Sequence, residues 1–138
     1  MIPVHLRDRL ERIDAVIGRL VEYALQGKLV VVEGKKDVVA LSLLGVVGRV
    51  LAVKAGGRSF LQVAEEIEAL GVEEIILLLD FDRRGREGTW CLQRALERTS
   101  VRVNVVVWRE LAGLVGRDVQ DVEGLPAFLA TIAQKVGG

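Results

Sequence analysis

The chain has 138 residues, of which 51% are hydrophobic and 28% are charged, the composition of a globular protein of one ordinary domain. Its formal net charge is zero, so it lacks the global basic field that by itself indicates a nucleic-acid-binding protein. The only cysteine, Cys91, excludes an internal disulfide, and with the only histidine, His5, it is too little for a structural zinc site.

Arginine is the preferred basic residue of this chain, with 14 arginines against 5 lysines. The planar guanidinium suits bidentate contacts to phosphate or carboxylate. A heat-adapted surface rich in ion pairs explains the same preference, and a single methionine and a single cysteine agree with such a thermophile-like composition. No apolar run approaches the ~18 residues of a membrane span, and the N-terminus lacks the apolar centre of a signal peptide. We therefore expect a cytoplasmic protein with no membrane association.

The first predicted element is an amphipathic helix over residues 4–26, and a second helix of this kind is predicted over residues 122–136. Between them, four apolar runs predict strands. They are almost continuous in Val, Ile and Leu, which is typical of strands that are covered on both faces. The four predicted strands are Leu29 to Val32, Val50 to Val53, Ile75 to Leu79, and Val101 to Trp108.

Segments with helical spacing separate the predicted strands. Ser59 and Gln62 predict a capping box that opens one helix, and Gly71 is placed to end it. The apolar residues that mark the three helices are Val38, Val39, Leu41 and Leu43; Leu61, Ala64, Ile67 and Leu70; and Trp90, Leu92, Ala95 and Leu96. The alternation of strand and helix predicts an α/β fold, with a four-stranded parallel sheet and right-handed crossovers. We expect one domain over residues 1–138, with the terminal helices covering the sheet.

Charged residues follow each predicted strand. The four ends read Glu33-Gly34-Lys35-Lys36, Lys54-Ala55-Gly56-Gly57-Arg58, Asp80-Phe81-Asp82-Arg83-Arg84 and Trp108-Arg109-Glu110. Because ligands of open parallel sheets bind beyond the carboxyl ends of the strands, these charges are expected to meet at one edge. The sequence thus predicts an acidic cluster of Glu33, Asp80 and Asp82, surrounded by basic residues.

The acidic cluster has the chemistry of a metal and phosphate site. Asp80 and Asp82 are two positions apart, so in an extended segment they point to the same side, where their repulsion favours a cation between them. Mg²⁺ is commonly held by one or two carboxylates, with substrate phosphate and water completing its shell. Glu33 is predicted to complete the site or to act as a general base. Taken alone, each motif is also explained by turn and helix-cap chemistry.

Other phosphate-binding motifs fit the sequence less well. The segment that contains Glu33 lacks the glycine and lysine spacing of a P-loop, and no Gly-x-Gly-x-x-Gly follows the first strand, so no organic cofactor is predicted. Asp118 and Asp121 are a further acidic pair that either reaches the site or caps the last helix. No exposed aromatic platform for nucleic acid is expected from the sequence.

The combination of "VVVEGKKDVVAL" and "ILLLDFDRRG" resembles the Toprim domain of topoisomerases, bacterial-type primases and the maturation nuclease of 5S ribosomal RNA. The resemblance covers roughly residues 28–110 and is closest to the small stand-alone Toprim proteins of archaea and bacteria. It implies a Rossmann-like sheet, Mg²⁺ or Mn²⁺ at Glu33, Asp80 and Asp82, and nucleic acid as partner. By the same likeness, the three carboxylates are the catalytic residues, and Lys35, Arg83 and Arg84 contact backbone phosphates.

One departure from the family pattern bears on catalysis. Where type IA topoisomerases and the maturation nuclease continue Asp-x-Asp-x-x-Gly-Glu, this chain has Arg86 after Gly85, with Glu87 one place later. Two main hypotheses stay open, and a third, a phosphatase-like or nucleotide-handling activity, fits the residues less well. The first is a magnesium-dependent, nuclease-like enzyme acting on structured RNA or DNA. The second is a non-catalytic module that binds nucleic acid or a partner and uses the metal as a phosphate bridge.

Overall fold

The computed structural model of the chain describes residues 4–137. Six α-helices, four strands and one 3-10 turn follow each other along the chain. Their bounds are α1 Val4–Leu25, β1 Leu29–Val32, α2 Lys35–Leu43, β2 Val50–Ala52, α3 Phe60–Ala69, β3 Glu74–Leu78, α4 Arg83–Leu96, β4 Arg102–Asn104, α5 Val106–Val115, the 3-10 turn Val122–Gly124, and α6 Leu125–Gly137.

The strands form one parallel sheet in the order β2-β1-β3-β4, which confirms the predicted α/β fold. β1 lies in the middle, and its last residue, Val32, pairs with Ala52 of β2 and Leu78 of β3. Three strands therefore end at the same level. The residues that follow Val32 and Leu78 are neighbours at the carboxyl edge of the sheet.

Each face of the sheet carries its own apolar cluster, because successive side chains of a strand point to opposite faces. Val30 and Val32 pack under helices α1, α2 and α5, while Leu29 and Val31 pack under α3 and α4. All four side chains are at most 3% exposed. Burial on both faces explains why β1 reads as an uninterrupted apolar run.

The fourth predicted strand was too long. β4 ends at Asn104, and Val106–Val115 forms helix α5, so Trp108, Arg109 and Glu110 are helical. The Asn104 side chain ends the strand, since its Oδ1 accepts a hydrogen bond of 2.9 Å from the Val106 amide. The charges of Arg109 and Glu110 therefore do not continue a strand at the carboxyl edge, contrary to the prediction.

The helices between the strands exist as predicted, but the predicted apolar face of α3 was partly wrong. The capping box of α3 forms: the Ser59 amide donates to Gln62 Oε1 and the Gln62 amide to Ser59 Oγ. Leu61 and Leu70, however, are exposed, as are Val39 and Leu43 of α2. The segment 122–136 divides into the 3-10 turn and α6. Within residues 4–137, no helix is both long and apolar enough to cross a membrane.

Candidate functional site

A cleft of about 480 Å³ opens at the carboxyl edge of the sheet. Its walls come from the ends of β1, β2 and β3, from the first turn of α2 and from the 3-10 turn. Five of the lining residues are acidic and three are lysines. The lining residues are Glu33, Gly34, Lys35, Lys36, Asp37, Lys54, Ala55, Gly56, Asp80, Asp121 and Glu123.

Glu33 follows β1 directly and is only 8% exposed. Its Oε1 lies 3.4 Å from the Asp80 amide, which donates to it, and its Oε2 lies 3.9 Å from Lys54 Nζ. Burial raises the pKa of Glu33 above its usual value, and the nearby charges of Asp37 and Asp82 raise it further. The Asp80 amide and Lys54 act in the opposite direction. Glu33 is therefore a buried carboxyl group. Among the described residues, Lys54 is its single ion-pair partner, at 3.9 Å.

Asp80 follows β3 and faces Glu33 across the neighbouring strand ends. Burial is the largest cause that raises the pKa of Asp80 to about 7, and the charge of Glu33 is the next. The charges of Asp37, Asp121 and Asp82 act in the same direction. This carboxyl group changes its charge near neutral pH, because negative groups surround it in a partly buried place.

The backbone of Asp80 is fixed from two sides. Its carbonyl accepts a hydrogen bond of 3.2 Å from Trp108 Nε1, and the next amide, that of Phe81, donates to the Gln120 carbonyl at 2.7 Å. The Phe81 ring is buried in the apolar cluster under α1 and α5. Trp108 was predicted to end a strand, yet it holds the Asp80 loop from helix α5. No sequence pattern indicated this contact.

Asp82 begins helix α4 as its N-cap residue. Its Oδ1 accepts a hydrogen bond of 2.8 Å from the Gly85 amide, so the alternative of helix-cap chemistry is realised. Asp82 stands outside the wall of the cleft, although its charge acts on both Glu33 and Asp80. The structure thus brings Glu33 and Asp80 together, with Asp82 at the rim.

Three further carboxylates line the cleft: Asp37 and Glu123 were not among the predicted site residues, and Asp121 was predicted either to reach the site or to cap the last helix. Asp37 is 5% exposed, and its two oxygens accept hydrogen bonds from the Gly34 and Glu123 amides at 3.0 and 2.9 Å. Asp121 both lines the cleft and caps the 3-10 turn through the Gly124 amide. Asp37 therefore ties the C-terminal segment to the loop after β1. Asp37 is the single acidic residue of α2, and this was the available signal.

The basic residues divide into two groups. Lys35, Lys36 and Lys54 line the cleft. Arg83 and Arg84 lie exposed on the first turn of α4, and the Arg83 guanidinium is 3.2 Å from Glu87. Lys54 was not among the predicted site residues, although it directly follows the second predicted strand.

Three other charged residues, outside the lining of the cleft, have contacts within the fold. Arg58 binds the carbonyls of Ala52 and Ala55 and pairs with Glu66. Asp118 pairs with Arg9 at 2.5 Å, and it is not among the residues that line the cleft. Glu87 follows Arg86, which occupies the glutamate position of the pattern Asp-x-Asp-x-x-Gly-Glu. The Glu87 side chain is exposed and pairs with Arg83.

The donor set of the cleft suits a hard cation. Among residues 4–137, no three His, Cys, Asp or Glu side chains are already arranged around a common point as in a preformed metal site. Mg²⁺ needs no such cage, because one or two carboxylates and the phosphates of a substrate commonly hold it. Burial is the largest cause of the raised pKa values of Glu33 and Asp80, and neighbouring carboxylates raise both further, a repulsion that a cation would relieve. The residues present therefore fit a divalent ion at Glu33 and Asp80.

The sequence model of the Toprim domain matches residues 28–108. The chain belongs to the Toprim family. This confirms the resemblance that "VVVEGKKDVVAL" and "ILLLDFDRRG" indicated, and both motifs flank the Toprim cleft. Membership associates the chain with divalent metal and with nucleic acid in general.

Relatives of this Toprim protein occur in archaea. A UPF0292 protein of Methanosarcina barkeri is 31% identical over 131 residues, which cover 95% of this chain and 90% of the relative. A UPF0292 protein of Thermococcus gammatolerans is 35% identical over 119 residues, covering 86% and 84%. A solved protein structure from Aquifex aeolicus shares the fold, with a TM-score of 0.65 and 22% identity, over 80% of this chain and 95% of that one.

Proposed function

We propose that this Toprim protein is a magnesium-dependent, nuclease-like enzyme that acts on phosphodiester bonds of structured RNA or DNA. The observation that carries the proposal is a pair of carboxylates, the buried Glu33 and the partly buried Asp80, at adjacent strand ends of a cleft that three lysines also line. Carboxylates supply the ligands that Mg²⁺ prefers, and lysines attract the phosphates that complete its shell. Mn²⁺ has similar ligand preferences and is expected to substitute.

Each residue has a role in the proposal that its surroundings support. Asp80 and Glu33 hold the ion, with Asp82 contributing at the rim. Glu33 also serves as the general acid or base, since its pKa is raised and Lys54 lies 3.9 Å away to accommodate its charge. Lys35 in the cleft and Arg83 and Arg84 on α4 contact backbone phosphates. When bound, the ion neutralises the scissile phosphate and lowers the pKa of an attacking water.

A cleavage assay with matched variants tests this proposal. Structured RNA, single-stranded DNA and duplex DNA are incubated with Mg²⁺ or Mn²⁺ and with the wild type, Glu33→Gln or Asp80→Asn. Glu68→Gln on α3 and Asp14→Asn on α1 are the controls, because both residues are exposed and stand outside the cleft. The proposal predicts cleavage that the two cleft variants lose and the two controls keep. Cleavage that persists in Glu33→Gln and Asp80→Asn, or that is absent for every substrate, would exclude it.

A non-catalytic binding module is the second candidate, and the charged residues in the first turns of α4 favour it. Arg86 stands where nucleases and topoisomerases of this superfamily carry another carboxylate, and Glu87 pairs with Arg83. In this alternative, the ion only bridges the carboxylates to a phosphate of the bound nucleic acid. The module would be supported if the protein binds nucleic acid in a metal-dependent way but cleaves no substrate, and if Asp80→Asn loses this binding.

A further inference from the structure

We propose that Trp90 on helix α4 is a stacking platform for an unpaired base of the nucleic acid that occupies the Toprim cleft. This inference rests on the proposed function, because that function supplies nucleic acid as the ligand. It goes beyond that function because it assigns a recognition surface outside the cleft and a preference for single-stranded segments.

The exposure of Trp90 is the first observation. Its side chain is 59% exposed, whereas the other tryptophan, Trp108, is partly buried and hydrogen-bonded to Asp80. In the sequence, Trp90 was only one of the apolar residues that mark this helix, and no exposed aromatic platform was expected. The buried face of α4 consists of small residues in the first half of the helix and leucines in the second half. These residues are Gly85, Gly88, Thr89, Leu92 and Leu96. The indole therefore contributes little to packing the helix onto the sheet.

The charge around Trp90 is the second observation. Although the whole chain is neutral, α4 carries four arginines and a single acid, Glu87. Arg86 is four residues before Trp90 and Arg94 four residues after it, so both lie next to the indole on the outer face of the helix. Both arginines are exposed. The indole is thus embedded in positive charge that suits a phosphate backbone.

The contact between Arg94 and Trp90 has the geometry of a stacking platform. The guanidinium carbon of Arg94 lies 4.9 Å from the centre of the indole. A planar cation on an aromatic ring at the surface holds the ring in place, and nucleobases stack on both kinds of surface. Aromatic rings interleaved with arginine are typical of proteins that bind single strands without sequence preference.

The position of Trp90 connects it to the cleft. It lies seven residues after Arg83, which corresponds to about 10 Å along the helix axis. Stacked nucleotides rise about 3.4 Å each, so a strand that runs from the cleft along α4 reaches the indole within about three nucleotides. Paired bases are shielded within a duplex, so the platform selects a single strand, a loop or an unpaired end.

Fluorescence anisotropy with labelled oligonucleotides tests the platform. Ca²⁺ replaces Mg²⁺ so that cleavage does not interfere, and single-stranded RNA, single-stranded DNA and a blunt duplex are compared. The variants are Trp90→Ala, Trp90→Phe and the control Leu61→Ala, whose side chain is a 62% exposed apolar group on α3. We expect Trp90→Ala to weaken single-strand binding roughly tenfold, Trp90→Phe to weaken it less, and Leu61→Ala and the duplex to show no change.

An abasic scan makes the test specific for stacking. One abasic position is expected to weaken binding to the wild type and to have no additional effect on Trp90→Ala, because both changes remove the same contact. Equal affinity of Trp90→Ala and wild type for all single strands would overturn the inference. So would a wild type that binds no oligonucleotide, or a loss of self-association in Trp90→Ala with unchanged affinity, which would make the indole a contact between copies.

The stacking platform and the proposed function can be refuted independently of each other. Loss of cleavage in Glu33→Gln together with unchanged binding by Trp90→Ala would refute the platform and leave the metal site intact. Weakened single-strand binding by Trp90→Ala, with no cleavage of any substrate, would support the platform and refute catalysis.

Discussion

Gly85 lies so close to Asp80 that a Cβ atom built on Gly85 would be 1.8 Å from the Asp80 carbonyl oxygen. The start of α4 is therefore in backbone contact with the residue that carries the candidate metal ligand. The same helix turn holds Asp82 through the Gly85 amide. Glycine at this position lets the two aspartates and the helix approach each other.

Gly85→Ala is expected to displace the Asp80 backbone. The overlap predicts a decrease of about 1–3 kcal/mol in the free energy of unfolding, measured by urea denaturation, and a loss of metal affinity. Gly18→Ala is the control, because its added Cβ meets nothing within 4 Å in the interior of α1. That variant is expected to gain up to about 1 kcal/mol from helix propensity. Equal stability of wild type and Gly85→Ala would contradict the close contact.

Removal of the Asp37 carboxylate is expected to release the C-terminal segment from the cleft. Asp37→Ala loses both hydrogen bonds, to the amides of Gly34 and Glu123, at a cost of about 2–3 kcal/mol in unfolding free energy. Glu123→Ala keeps the backbone amide and loses only the exposed pair with Lys36, so a change of about 0.5 kcal/mol or less is expected. Similar losses in both variants would show that the side chain of Glu123, and not its amide, holds the segment.

Metal binding is expected to depend on pH through Asp80. Its carboxyl group has a pKa of about 7 and must lose a proton to bind a cation. The affinity for Mn²⁺, followed by electron paramagnetic resonance, is therefore predicted to increase from pH 5.5 to pH 8 and then to level off. An affinity that is constant over this range would mean that Asp80 is already ionised or is not a ligand.

The stability of the metal-free protein is expected to depend on the same proton. The folded state holds the Asp80 proton more tightly than the unfolded chain does, since the pKa is raised from 3.8 to about 7. The contribution to stability is present below pH 3.8 and is lost as the pH increases through 7. Thermal unfolding of Asp80→Asn should lack this component between pH 4 and pH 7. The wild type should recover stability at neutral pH when Mg²⁺ is added.

Much of the fold could be predicted because β1 and β3 are buried on both faces and read as apolar runs that end in charge. β4 could not be delimited, because "VRVNVVVW" is rich in valine across a strand, an Asn turn and a helix start. A continuous apolar run does not distinguish a buried strand from a buried helix. In the structure, the hydrogen bond from the Val106 amide to the Asn104 side chain lies at the boundary between the two.

The sequence also did not show which face of α4 is exposed. Large apolar residues usually mark the buried side of a helix, but the first turns of α4 approach Asp80 and Phe60 too closely for large side chains. Gly85 and Gly88 therefore form the buried side, and Trp90 lies outside. How closely α4 approaches Asp80 and Phe60 depends on tertiary contacts, which cannot be read from the sequence.

The candidate site was predictable where it depends on strand order alone. Glu33 and Asp80 follow strands that are neighbours in a parallel sheet, and topology brings their carboxyl ends together. The contributions of Asp37, Lys54 and Asp121 depend on side-chain directions and on how residues 119–124 dock. No spacing in the sequence determines these contacts.

The most direct test of the carboxylate cleft as a metal site is a calorimetric titration of Mg²⁺ into the protein with a non-cleavable oligonucleotide present. Wild type and Asp14→Asn are predicted to bind the ion, and Asp80→Asn and Glu33→Gln are predicted to bind it about tenfold more weakly or not at all. The two carboxylates would then be its ligands. Absence of Mg²⁺ binding by the wild type, or unchanged binding by Asp80→Asn and Glu33→Gln, would contradict a metal site in this cleft.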